Sequence, residues 1–171
     1  NNVSLKINKG EKIALVGFNG AGKSTLIKLM LRLYDVTDGE IIYGDRCIKD
    51  YPIADYRDRF GVLFQDFEII ASDIAHNITM DNTEFDERRA DEAMKKVGFY
   101  EKIKSLPNGY KTQLTKEFDD SGVNLSGGEA QKIALARVLY SNSDIVVLDE
   151  PSSALDPIAE YQFNKAVTEL A

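Results

Sequence analysis

The sequence predicts an α/β protein, and three observations carry that expectation. A short apolar run at residues 13–16 leads into a glycine-rich turn and then a helical pattern. A second apolar run, residues 145–148, ends in two acidic residues. Between them, strand-like and helix-like periodicities alternate, as they do where helices cover a parallel sheet.

Taken in order, Val3, Leu5 and Ile7 alternate as in a strand, and residues 13–16 read as a buried strand. Residues 24–34 read as a helix whose Leu26, Ile27, Leu29, Met30, Leu31 and Leu33 leave little polar face, so it is expected in the core. Residues 41–43 and the stretch after Gly44-Asp45 suit a hairpin, and residues 60–64 suit a strand running into Gln65. From about residue 67 to 114 the pattern is mostly helical. Ala90, Ala93, Met94 and Val97 recur at i, i+3, i+4 and i+7, and Pro107, Asn108 and Gly109 mark a turn. A helix is expected over residues 126–140, then a strand at 145–148, and Asp156-Pro157 supplies an N-cap and first helical residue. Helical spacing continues through Phe163, Ala166, Val167 and Leu170. The strand-like start and helical end suggest an excerpt of a longer polypeptide.

The bulk properties bound the function. A chain of 171 residues that is 43% apolar suits one domain with a buried core. A formal charge of −7 argues against a general nucleic-acid binder, which needs a basic face, so no nucleic-acid partner is expected. Cys47 is the single cysteine, which excludes an internal disulfide framework, suits a reducing compartment and is expected to be a packing residue. No apolar run reaches the roughly 18 residues of a membrane-spanning helix.

Gly17-Phe18-Asn19-Gly20-Ala21-Gly22-Lys23-Ser24 fits G-x-x-x-x-G-K-[ST] between an expected strand and an expected helix. Glycines let backbone N–H groups turn inward, the helix N-terminus adds partial positive charge, Lys23 reaches outer phosphates and Ser24 ligates Mg²⁺. With ordinary glycine usage, a random chain of this length shows the pattern on the order of 1% of the time. An ATP-binding loop is therefore expected here.

Asp149 and Glu150 follow residues 145–148, at the carboxyl end of a strand, where open α/β sheets place their ligands. Solvated strand-end acids are common, but a phosphate-loop protein needs an Asp at such a position to hold Mg²⁺. Asp149 is expected in that role, and Glu150 as the general base that activates a water. Ser126-Gly127-Gly128-Glu129 is S-x-x-E, a capping box for the helix that follows. Its two glycines each cost about 0.5 to 1 kcal/mol relative to Ala and are not needed for a cap. A bare helix end that receives a phosphate from outside accounts for them.

The phosphate loop, Gln65, Leu125-Ser126-Gly127-Gly128-Glu129, the strand into Asp149-Glu150, and Ser153-Ala154-Leu155-Asp156 occur in the order and approximate spacing of ATP-binding-cassette ATPase domains. The resemblance covers essentially the whole chain. It implies a P-loop NTPase core (about residues 1–66 and 141–171) with an antiparallel β portion, and an inserted helical subdomain (about 67–140). It makes Gly17, Asn19, Gly20, Ala21, Gly22, Lys23, Ser24 and Thr25 the nucleotide cradle, joined by Ser126, Gly127 and Gly128. Ser24, Gln65 and Asp149 are the metal contacts that it implies, and Glu150, Lys23 and Gln65 the catalytic groups. In the family two such domains pair head to tail, each serine-glycine-glycine helix closing on ATP held by the other's loop, with Asp156 at the interface.

Residues 51–57 and Glu117 resemble the exporter subtype, although residues 116–122 match the usual exporter loop poorly. That subtype implies a transmembrane domain, on this chain or a partner, and a place at the cytoplasmic face of a bacterial plasma membrane. Phe67, Glu68, Ile69 and Ile70 are candidates for the contact with it, ordinary burial being the competing account. Glu129 stands where the family usually has Gln, which keeps the cap and adds negative charge where a γ-phosphate arrives. The resemblance puts the family's adenine-stacking aromatic upstream of Asn1 and its switch histidine beyond Ala171, and His76, the one histidine of these residues, is expected to be an unremarkable helix or loop residue. Two other readings stand beside an exporter ATPase: a soluble relative acting on DNA or in translation, and a non-catalytic nucleotide-sensing module.

Overall fold

In the computed structural model the described residues are 3–80, 84–116, 120–149, 160–161 and 165. Two parallel strands organise them. β3 (Phe60–Leu63) and β4 (Ile145–Leu148) pair in the register Phe60↔Ile145 to Leu63↔Leu148, after a hairpin of β1 (Ile42–Tyr43) and β2 (Arg46–Cys47). The helices are α1 (Lys23–Met30), α2 (Ile53–Arg57), α3 (Ile74–Thr79), α4 (Glu87–Lys96), α5 (Tyr100–Ser105) and α6 (Gly127–Ser141).

Because strand side chains alternate between faces, the β3–β4 pair divides two apolar clusters. Phe60, Val62, Ile145 and Val147 pack with Ile27 of α1, its C-cap Leu31, Ile48 and Tyr56. Leu63, Val146 and Leu148 face the other way, onto Ile133, Ala134 and Val138 of α6 and the α3 to α5 residues Ile74, Met94 and Ile103. Apolar residues at consecutive positions of both strands follow from having a covered face on each side. Tyr56 ties the first layer together. Its hydroxyl donates to the Met30 carbonyl at 2.6 Å, and burial pushes its pKa up to about 12.

Gly61 marks where β3 meets α6. A Cβ there would lie 2.9 Å from Val138 Cγ1 and 3.2 Å from each of the Ser141 and Ser143 hydroxyls. Gly61→Ala is expected to cost about 1 to 3 kcal/mol of stability through overpacking, read as a lower midpoint in urea with an unchanged slope.

Three expectations are corrected. Residues 13–16 form no strand, and Ile13, Leu15 and Val16 are 40%, 39% and 93% exposed. Val3, Leu5 and Ile7 are likewise exposed and unpaired in any ladder. An apolar run becomes a strand only against a neighbour that accepts its hydrogen bonds, and among the described residues β3 and β4 pair only with each other. The same open edge leaves β4 half-buried throughout. The helix expected over residues 24–34 ends at Met30, with Arg32 in a left-handed conformation (φ 54°) and Leu33 N–H donating to the Lys28 carbonyl. That geometry closes the helix end and turns Leu33 and Tyr34 outward. Burial is confined to Ile27 of α1 and its C-cap Leu31.

Elsewhere the elements lie where the periodicity puts them. The Gly44-Asp45 turn closes the hairpin, Ala90, Ala93, Met94 and Val97 form the buried face of α4 and its end, and His76 is a residue of α3. Cys47 is half-buried and free. Among the described residues no helix is long and apolar enough to cross a membrane. The expected helix start at Asp156-Pro157 and the pattern from Phe163 to Leu170 lie outside the described residues.

Candidate functional site

The phosphate loop takes its shape from two backbone positions that favour glycine. Gly20 and Gly22 have φ of 81° and 95°, left-handed values that let the chain double back before α1 begins. Gly22 is the N-cap of α1 and supplies no side-chain cap, so first-turn N–H groups remain available to an anion. Lys23 Nζ donates back across the loop to the carbonyls of Gly17 at 2.8 Å and Phe18 at 3.2 Å. Gly17 also keeps the loop tight, since a Cβ on it would lie 3.1 Å from that of Ala21.

Parallel pairing brings the distant members in. Leu63 and Leu148 are partners, and Asp149 N–H donates to the Leu63 carbonyl at 2.8 Å. Gln65 and Asp149 thus emerge from the same end of adjacent strands, at the carboxyl edge expected for a ligand. Both open into one cavity of about 360 Å³ that is otherwise lined by Asn19, Gly20, Gly22, Lys23, Ser24 and Thr25. The lining includes Ser24, Gln65 and Asp149, whose hydroxyl, amide and carboxylate are hard oxygen donors of the type Mg²⁺ takes beside substrate phosphates. The donor set therefore fits that ion.

Ser126, Gly127 and Gly128 do not line this cavity. They start α6, where the expected capping box is present: Ser126 N–H donates to Glu129 Oε2 at 2.9 Å and Glu129 N–H to Ser126 Oγ at 3.3 Å. A Cβ on Gly127 would meet nothing within 4 Å, so this helix end is open. The Ser126 N–H bond, aided by its hydroxyl and by nearby Lys102, holds the Glu129 carboxyl below its ordinary range. Glu150, Glu117 and residues 153–157 lie outside the described residues.

A family model described as "ABC transporter" matches residues 1–153. This chain belongs to the ABC transporter family. Curated ABC relatives include a putative multidrug export ATP-binding/permease protein of Bacillus subtilis (strain 168), 40% identical over 169 residues, and an ATP-dependent lipid A-core flippase of Saccharophagus degradans, 38% identical over 170. Each alignment covers 99% of this chain and 28% of the relative, so the chain spans just over a quarter of their length. Among solved structures, a bacterial Atm1-family ABC exporter with ATP bound matches with a TM-score of 0.77 at 32% identity, over 88% of this chain and 26% of that one.

Sequence reasoning missed the residues that brace the stretch after Gln65. Asn77 is fully buried; its amide accepts from Ile70 N–H and donates to the Ile70 and Asp73 carbonyls, each at 3.0 Å. Arg137 of α6 donates to the Asn77 carbonyl at 2.9 Å and the Glu68 carbonyl at 3.3 Å. A signal for Asn77 existed, since it shares the apolar spacing of Ile74 and Ile78 and a polar residue there must satisfy a buried backbone. Phe67 and Ile69 are half-buried against the α6-side cluster.

Proposed function

We propose that this chain is the ATP-binding and ATP-hydrolysing domain that powers transport through an ABC exporter. The observation that carries the proposal is the convergence of the phosphate loop, Gln65 and Asp149 on one cavity, while the open Ser126–Gly128 helix end stands apart from it. A site built in two separated halves suits head-to-tail pairing of two such domains.

In this reading, backbone N–H groups of residues 17–25 and the start of α1 grip the phosphates of ATP, and Lys23 turns from the loop carbonyls to the outer phosphates. Ser24, Gln65 and Asp149 would hold Mg²⁺, which would offset the negative charge that develops on the phosphates. Glu150 takes a proton as a water oxygen attacks the γ-phosphorus; the bond to the β–γ bridging oxygen breaks and ADP leaves with its electron pair. Ser126, Gly127 and Gly128 of the partner domain close over the γ-phosphate. The two apolar clusters on opposite faces of β3–β4 support a division into a nucleotide-binding core with its antiparallel portion (about 1–66 and 141–171) and a helical subdomain (about 67–140). Phe67, Glu68, Ile69 and Ile70, held by Asn77 and Arg137, form the side that meets the transmembrane domain. In this reading the domain sits at the cytoplasmic face of a bacterial plasma membrane. The relatives are export or flippase proteins by name, which favours this reading over a soluble ATPase acting on DNA or in translation.

The test is light scattering of the complete nucleotide-binding domain carrying Glu150→Gln. ATP with Mg²⁺ is expected to convert monomer to dimer, and Ser126→Arg to prevent it. A domain that binds ATP tightly and stays monomeric rules out self-pairing.

A further inference from the structure

The start of α6 carries a charge relationship that the pairing mechanism leaves unexplained. Glu129 is part of the cap, yet a carboxylate one turn into this helix opposes the attraction of its N-terminus for phosphate. The two carboxylate oxygens are engaged separately. Oε2 accepts from Ser126 N–H, and Oε1 lies 3.4 Å from Lys102 Nζ. Lys102 comes from α5, a helix pinned by Ile103, which is fully buried in the α6-side cluster. The pair is held near the surface, with Lys102 and Glu129 side chains 45% and 29% exposed.

Resting on the proposed two-domain site, we propose that Lys102 is a positioning residue for the phosphate-receiving end of α6: it neutralises Glu129 and holds the cap that keeps Ser126 to Gly128 open. With Lys102 present, the cap presents a neutral pair beside an ATP phosphate. Without it, the same cap presents a net negative charge. A neutral glutamine at position 129 makes both capping contacts without that charge, so dependence on Lys102 requires the carboxylate. Lys102 is distinguished from Lys132, which is on α6 itself and donates to the Gly98 carbonyl at 3.4 Å. The effect is bounded by the pair's exposure, since near-surface pairs change equilibria by roughly two- to fivefold.

The experiment measures KM and kcat for ATP hydrolysis by the full-length protein, as wild type, Lys102→Met, Lys102→Arg, Glu129→Gln and the Lys102→Met/Glu129→Gln double variant. Lys102→Met is expected to raise KM about two- to fivefold with little change in kcat, more at low salt than at high, and Lys102→Arg to restore it. Against Glu129→Gln, which sets its own reference, adding Lys102→Met is expected to change nothing further. An unchanged KM in Lys102→Met, or an equal rise in both backgrounds, overturns the inference while leaving the ATPase reading in place. A wild-type protein that neither binds nor hydrolyses ATP overturns both.

Discussion

The full-length protein carrying Glu150→Gln is expected to bind ATP as tightly as wild type and to hydrolyse it about 10² to 10⁴ times more slowly, the usual share of a positioned base. The expectation starts from the strand end. β3 and β4 pair through Leu63 and Leu148, the Asp149 N–H extends that ladder by one bond, and the Asp149 side chain opens into the cavity beside Ser24 and Gln65. Glu150 is the next residue in the sequence. In the proposed mechanism its carboxylate takes the proton of the water that attacks the γ-phosphorus. Gln keeps the size and hydrogen bonding of Glu and loses its basicity. Binding, ATP-driven dimerisation and thermal stability are expected to survive while single-turnover hydrolysis collapses. A turnover rate equal to wild type removes Glu150 from the mechanism.

Much of this site was legible because its parts are local patterns. The capping box needs only Ser126 and Glu129 three residues apart on one helix start, and both of its hydrogen bonds are present. Residues 60–64 and 145–148 read as strands from their apolar runs, the first forming one residue shorter at Phe60–Leu63, and the hairpin read from Gly44-Asp45. Residues 13–16 have the same apolar character and form no strand, because a strand depends on a neighbour that the run does not specify. The early end of α1 came from backbone geometry at Arg32, whose guanidinium is drawn to the Ile48 and Tyr51 carbonyls at 3.1 and 2.8 Å. Lys102 and Glu129 are far apart in sequence on separate helices, so periodicity carries no trace of their contact. Gln65 lay between: its place at a strand end was legible, while its meeting with the phosphate loop required the fold.

Lys23→Ala is expected to abolish tight nucleotide binding, weakening ATP affinity by about ten- to a hundredfold or more, as loss of a charge-assisted bond to phosphate does. Truncation also removes the bonds from Nζ to the Gly17 and Phe18 carbonyls, so loss of affinity has to be separated from collapse of the loop. Both bonds are solvent-exposed, and the left-handed turns at Gly20 and Gly22 are satisfied by glycine itself, so the loop keeps its shape without the ammonium. Ligand-free melting is therefore expected to match wild type. Added ATP separates the proteins. A ligand at a hundred times its Kd stabilises the folded state by about 2.7 kcal/mol, whereas one below its Kd contributes a few tenths. At a hundred times the wild-type Kd, ATP is expected to stabilise Lys23→Ala by only about 0.4 to 1.4 kcal/mol, so the ATP-induced rise in Tm falls to about half or less of the wild-type rise. A normal rise with normal affinity refutes the phosphate role of Lys23. A drop in ligand-free Tm instead assigns the residue to holding the loop, which the exposed carbonyl bonds argue against.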